Sequence, residues 1–350
     1  MQKAGTNPLT IINMKKQHDL VLVATVFVAV VMGTFCLGFF NSQLNASTLP
    51  LEQSSQKPAL PPSIFGEGVI STADFELNTS FTPDGQTVFF TKATPDFTFW
   101  TIVASHLKNG RWGTPVVAPF SGQYSDSDPF VSPDGSKIYF ISNRPITGTT
   151  PKRDFDIWVV EKSSTGWGEP RNLGAPVNTE SIEFSPAVTS SGTLYFSSNR
   201  AGGRGEFDIY RCQLVNGKYG EPENLGDAIN TRGREVRPYV SPDESFIIFT
   251  SAGRQDGFGA TDLYLSTKRD GAWTAAKNLG DKINSPSQEL APSVSPDGKY
   301  FFFTSTRGYG VAEQQEKRMT YKELSRQLRS PGNSLGDIYQ VDISLLDLKR

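Results

Sequence analysis

Histidine and cysteine are nearly missing from this sequence: its 350 residues hold two of each. Cys36 falls in an apolar run and Cys212 in a strand-like segment, which excludes an internal disulfide framework and a cysteine-rich zinc site. His18 precedes the apolar run, so His106 is the single imidazole of the remaining chain. A His-dependent triad or a multi-His metal site therefore lacks its residues, and neither a metal nor a cofactor is expected. Charge of one sign is missing too. The 34 basic and 36 acidic residues leave a net charge of −2, with no global pull toward nucleic acid or anionic lipid.

Residues 20–40 contain no charge and follow Lys15 and Lys16. At 1.5 Å per residue a helix of this length spans ~30 Å, one hydrocarbon thickness. The run is longer than the ~7–15 residue core of a secretory signal, and no small-x-small cleavage site follows it. Gly33-Thr34-Phe35-Cys36 departs from a lipoprotein box, because Phe stands where a small residue belongs. The expectation is a cytoplasmic segment at 1–19, a transmembrane anchor at 20–40 (alternatively a cleaved signal) and a flexible linker at 41–62. Either way residues 63–350 are exported, to the periplasmic or extracellular side.

Those exported residues repeat one phrase five times. Its turns are Pro83-Asp84-Gly85, Pro133-Asp134-Gly135, Ser190-Ser191-Gly192, Pro242-Asp243-Glu244 and Pro296-Asp297-Gly298, with third residues 50, 57, 52 and 54 positions apart. A period of this size with several strands per unit indicates a β-propeller, in which no blade buries its faces alone. Each turn joins an inner strand A to a strand B such as Phe246-Ile247-Ile248-Phe249, apolar on both faces as packing between blades requires. Strand C carries Ile157-Trp158, Ile209-Tyr210 or Ile338-Tyr339. Tight turns such as Asn216-Gly217 lead to a strand D that opens on Trp112, Trp167, Tyr219 or Trp273. The fifth unit has no D strand after Ile338. The segment 64–76 parallels 224–235 and is expected to supply it, closing a five-bladed, all-β ring at 63–350.

The phrase resembles the WD40-like repeat of the TolB-like propeller family: Ser132-Pro133-Asp134-Gly135 with Ser142-Asn143-Arg144, Ser198-Asn199-Arg200 with Asp208-Ile209-Tyr210, and Ser295-Pro296-Asp297-Gly298 with Asp337-Ile338-Tyr339. The resemblance covers about residues 64–345. It implies a propeller, with six blades as the alternative count, and a scaffolding role in the cell envelope. The family's separate N-terminal α/β domain has no room here.

Seven residues before each turn stands a carboxylate: Glu76, Asp126, Glu183, Glu235 and Glu289. On innermost strands these form an acidic ring at the mouth of the axial channel. They are candidate ligand contacts, or partners of the recurring Arg144, Arg200 and Arg307 in ion pairs between blades. Repeated Asp156, Asp208, Asp262 and Asp337 read as hydrogen-bond acceptors for loop backbone, and the strand D aromatics as packing between outer strands. The B–C and D–A connections share a variable face, where function is usually carried. The longest of them, about 308–336, holds a helical pattern from 312 to 329 with a capping box at Thr320 and Glu323 and an apolar face of Tyr321, Leu324 and Leu328. This insertion serves either specificity or as a plug for the channel. The leading expectation is a monomeric, non-enzymatic binding or scaffold module for a protein or an envelope glycan. The alternative is a carbohydrate-active enzyme using carboxylates near the axis.

Overall fold

Each turn phrase seeds one antiparallel sheet in the computed structural model, which describes residues 60–308 and 318–348. In the second, the Gly135 N–H donates to the Ser132 carbonyl at 2.7 Å, and Asp134 accepts from the Ser132 hydroxyl and the Ser136 N–H. Gly135 takes a φ of +70°, open to glycine at no steric cost. Glu244 holds the same place at +57°, its carboxylate accepting from Lys268 Nζ at 2.9 Å and the Tyr195 hydroxyl at 3.1 Å.

Counting outward, the blades run Phe75–Phe81, Thr87–Ala93, Trp100–Lys108; Asp126–Val131, Lys137–Ser142, Asp156–Ser163; Glu183–Val188, Leu194–Ser198, Asp208–Cys212; Arg234–Val240, Phe246–Ala252, Asp262–Arg269; and Glu289–Val294, Tyr300–Ser305, Asp337–Asp342. Inner strands of successive blades adjoin, and the first adjoins the fifth, so the ring closes on five blades rather than six. Middle strands are buried on both faces: Phe90, Phe140, Phe196, Phe249 and Phe303 are wholly enclosed. Each such side chain contributes roughly 1.5–3 kcal/mol by leaving water.

The outer edge differs from the expected single strand D. In the second blade Gly166–Trp167 pairs with one half of strand C and Arg171–Asn172 with the other. Gly168-Glu169-Pro170 separates them, because proline cannot donate to a ladder. The outer aromatics pack on the preceding blade, but against its middle strand and not its outer one as expected, because twisted blades lay the outer edge of one over the middle of its neighbour. Trp167 meets Phe89 edge-on at 6.0 Å, Trp273 meets Tyr195 at 6.4 Å, and the Tyr219 hydroxyl donates to that of Tyr139.

Chain closure follows the expected parallel. Ser63 and Ile64 pair with Gln340 and Tyr339, and the Phe65 N–H donates to the Ile338 carbonyl. Ser71 Oγ then accepts from the Ile338 N–H at 3.0 Å and donates to its carbonyl at 3.2 Å. Asn178, Asn230 and Asn284 do the same with their amides toward Ile157, Ile209 and Leu263, each side chain standing in for a strand partner. Removing residues 1–62 is therefore expected to leave a cooperatively melting domain. Removing 1–76 strips Phe65 and Ile70 from the core and exposes the edge of Asp337–Asp342. Equal melting temperatures for the two truncations would contradict this closure.

The expected anchor and most of the linker lie outside the described residues. Among the described residues no helix is long and apolar enough to cross a membrane.

Candidate functional site

The five repeat carboxylates are the first or second residues of the inner strands and are completely buried. They turn into their own blades, and none lines the axial cavity. Glu183 accepts from the Thr179 N–H at 2.9 Å, the Thr179 hydroxyl at 2.7 Å, Ser198 Oγ at 3.0 Å and Arg200 Nη2 at 3.1 Å. Arg200 also donates to the Val177 carbonyl at 2.6 Å and lies over the rings of Phe196 and Tyr210. The same clamp joins Glu289 to Arg307 at 3.0 Å and Asp126 to Arg144 at 2.8 Å.

These pairs form within a blade, not between blades, because acid and arginine leave paired ends of adjacent strands A and B. Two cations are hidden from a reading of the repeat. Arg254 meets Glu235 at 3.3 Å, but stands one residue later than the Ser-x-Arg pattern predicts. Lys92 meets Glu76 at 3.0 Å and shares its charge with Asp74. Burial pushes the Glu76 carboxyl above its ordinary pKa, against the lowering pull of Thr72 and Lys92.

The repeated aspartates of strand C hold the B–C loops, as expected. Asp262 accepts from the Phe258 and Gly259 N–H groups at 2.9 and 3.3 Å, and Asp337 from Gly332 N–H at 2.7 Å. Asp156 uses Lys152 Nζ instead, at 2.7 Å. Asp337 has no cation against it among the described residues, and burial pushes its pKa up to about 6, with Glu76 and Glu67 adding to the rise.

What varies from blade to blade lies two residues past each carboxylate. Every inner strand bulges there: the pairing register slips between Leu77 and Ser80, Ser127 and Phe130, Phe184 and Ala187, Val236 and Tyr239, and Leu290 and Ser293. Asn78, Asp128, Ser185, Arg237 and Ala291 take φ values from +53° to +59°. A bulge re-aims its side chain, and these five line the axis. The displaced N–H groups of Asp128, Arg237 and Ala291 donate to Thr91, Ser197 and Thr250 hydroxyls of the preceding blade.

Across the axis Arg237 Nη1 donates to Asn78 Oδ1 at 2.5 Å and to Asp128 Oδ1 at 3.4 Å, and Ser185 Oγ donates to Asp128 Oδ2. Beyond this layer a cavity of about 1190 Å³ opens toward the A–B turns, its wall including Pro83, Pro133, Pro242 and Pro296. This cavity thus opens on the uniform face, opposite to the variable face favoured by sequence.

On the variable face the insertion forms the helix Tyr321–Leu328, with the expected capping box between Thr320 and Glu323. Residues 309–317, which include the start of the expected helical pattern, lie outside the described residues. The apolar stripe fills no channel: Tyr321, Leu324 and Leu328 are 82%, 42% and 59% exposed.

Fold and site together define a five-bladed β-propeller with a polar partition across its axis. No protein-family model and no curated protein matches the chain. Among solved structures it is similar to TolB from Acinetobacter baumannii, at 17% identity over 77% of this chain and 54% of that one, TM-score 0.44. It is also similar to hydrazine synthase of Kuenenia stuttgartiensis (13%, 77% of this chain and 41% of that one, 0.46) and to a GH43 endo-arabinanase of Bacillus licheniformis (12%, 77% and 94%, 0.45). The chain therefore spans about half the length of the first of these. At such identities the likeness is one of fold.

Proposed function

We propose that this chain is an exported, membrane-anchored, TolB-like propeller that serves as a non-catalytic binding module, docking a protein partner of the cell envelope through its loop-rich face. The observation that carries this reading is the helix Tyr321–Leu328, which buries none of its side chains. An isolated helix so short is marginal in water, and apolar residues at i, i+3 and i+7 are the anchors of helix-in-groove recognition. Exposed Phe97, Ile146 and Phe258 sit on other B–C loops of the same face. Lys322, Arg326 and Arg329 give the helix a basic flank, which fits a groove rimmed by acidic side chains. Protein suits this surface better than glycan, since two of the three stripe residues are leucines, which offer sugar hydroxyls no partners, and Tyr321 is its one aromatic ring.

The carbohydrate-active alternative needs two carboxyls of unequal protonation open to substrate. The five repeat carboxylates instead share one buried, cation-paired environment.

Photocrosslinking from position 324 in intact cells tests the reading, with position 86 on the opposite face as control. One dominant, protease-sensitive adduct is expected from 324 alone, and it should disappear in the Tyr321→Ser/Leu328→Ser variant. Equal labelling from both positions, an adduct only with a second copy of this chain, or no adduct at all would overturn it.

A further inference from the structure

The axial cavity has the makings of a second recognition site, on the side of the ring opposite the helix. Its floor is a layer in which all five blades carry different residues, and one of them is a guanidinium with an unused edge. Asp128 is nearly enclosed and its oxygens are satisfied by Ser127, Ser185 and Arg237. Arg237, 18% exposed, uses only Nη1; Nε and Nη2 have no side-chain or carbonyl acceptor among the described residues. A guanidinium offers five donors in a fixed fork, so the unused edge matches a carboxylate.

The wall above the floor is of another character. Pro129, Pro186, Pro238 and Pro292 follow the bulge residues directly, and Phe81, Phe130, Tyr239 and Phe246 also line the space. Proline rings supply apolar surface and no N–H donor. Ser132, Ser241, Ser295 and Asp243 also line it, which suits the backbone amides of a peptide as the prolines and aromatics suit its apolar side chains. At about 1190 Å³ the cavity also exceeds the ~300–1,000 Å³ usual for single small molecules.

We propose that this cavity binds the end of an extended, largely apolar peptide, whose carboxylate sits on the free edge of Arg237 while its side chains pack against the prolines and aromatics of the wall. Asn78 and Asp128 hold the guanidinium in place, and Ser185 holds Asp128. The occupant enters from the A–B turn side. The site is independent of the loop-rich face, so either reading can fail alone.

The test uses full-length protein in detergent and a fluorescein-labelled pool of apolar hexapeptides, prepared once with free C-terminal carboxylates and once as C-terminal amides. Retention of the free-acid pool at least tenfold above the amide pool is expected. Arg237→Gln should abolish that preference. Ser344→Trp places a bulky ring at the exposed mouth, leaves the floor untouched, and should block retention of both pools. If Arg237→Gln does not fold, Ser344→Trp still decides whether binding is axial. Equal retention of acid and amide pools by the parent protein, retention unchanged by Ser344→Trp, or an unchanged preference in a folded Arg237→Gln would overturn the proposal. So would binding of a uronic-acid hexasaccharide in place of the peptides.

Discussion

Arg200→Ala is expected to destabilise the domain by about 3–5 kcal/mol, because it strands the buried Glu183 without its cation. For a domain of this size that is a fall in melting temperature on the order of 10 °C. The loss is larger than that of an ordinary surface ion pair, which is worth ~0–1 kcal/mol. The guanidinium also satisfies the Val177 carbonyl and covers Phe196 and Tyr210. Lysine should rescue little, since a point charge cannot reach carboxylate, hydroxyl and carbonyl together. Arg144→Ala, Arg254→Ala and Arg307→Ala should behave alike, whereas Lys92→Ala should cost less, because Lys92 is partly exposed and Glu76 already tends toward protonation. Thermal or urea melting of the five variants checks this. Losses below about 1 kcal/mol at all four arginines, no more than a surface pair gives, would show that the clamps are not structural.

Asp337→Asn should have an effect that depends on pH and changes in one direction. With a folded pKa of about 6 against an ordinary value of 3.8, the folded state holds a proton more tightly than the unfolded chain does. Stability from this group is therefore fully present below pH ~4, falls as pH rises through the window between the two values, and levels off above ~6. A gap of that width between folded and unfolded values corresponds to about 3 kcal/mol. Urea melts of parent and variant from pH ~4 to ~7 should show Asn gaining on Asp by about that amount as pH rises. A difference that is flat with pH would mean that Asp337 is compensated when charged. The contrast with Asp156 is the physical reason to expect otherwise, since Lys152 lies 2.7 Å from Asp156.

The ring is plain in the sequence because its signals are local and repeated. Ser-Pro-Asp-Gly fixes a turn through bonds within four residues, and a strand apolar on both faces can only be sandwiched between blades. The N-terminal closing strand is legible because 64–76 copies a phrase used elsewhere. The partners of the carboxylates are half legible: Arg144, Arg200 and Arg307 share one spacing, while Arg254 reaches the same place along a longer connection. The axial layer escapes such a reading although it leaves a mark. Asp128-Pro129, Ser185-Pro186, Arg237-Pro238 and Ala291-Pro292 put proline in the middle of an innermost strand, which regular pairing forbids and a bulge permits. Recurrence marks the frame of a repeat protein, and the axial layer is made of the residues that do not recur.

The bulges have a consequence for how such a protein diversifies. A residue set outside the ladder can be exchanged without disturbing the pairing, provided it tolerates a left-handed backbone, as Asn and Asp do most readily. Each blade thus contributes one interchangeable character to the axis, and here the word reads Asn-Asp-Ser-Arg-Ala. Five positions drawn from even a handful of residue types spell thousands of axial surfaces on one unchanged frame, so recognition and stability are written in separate parts of the same strand.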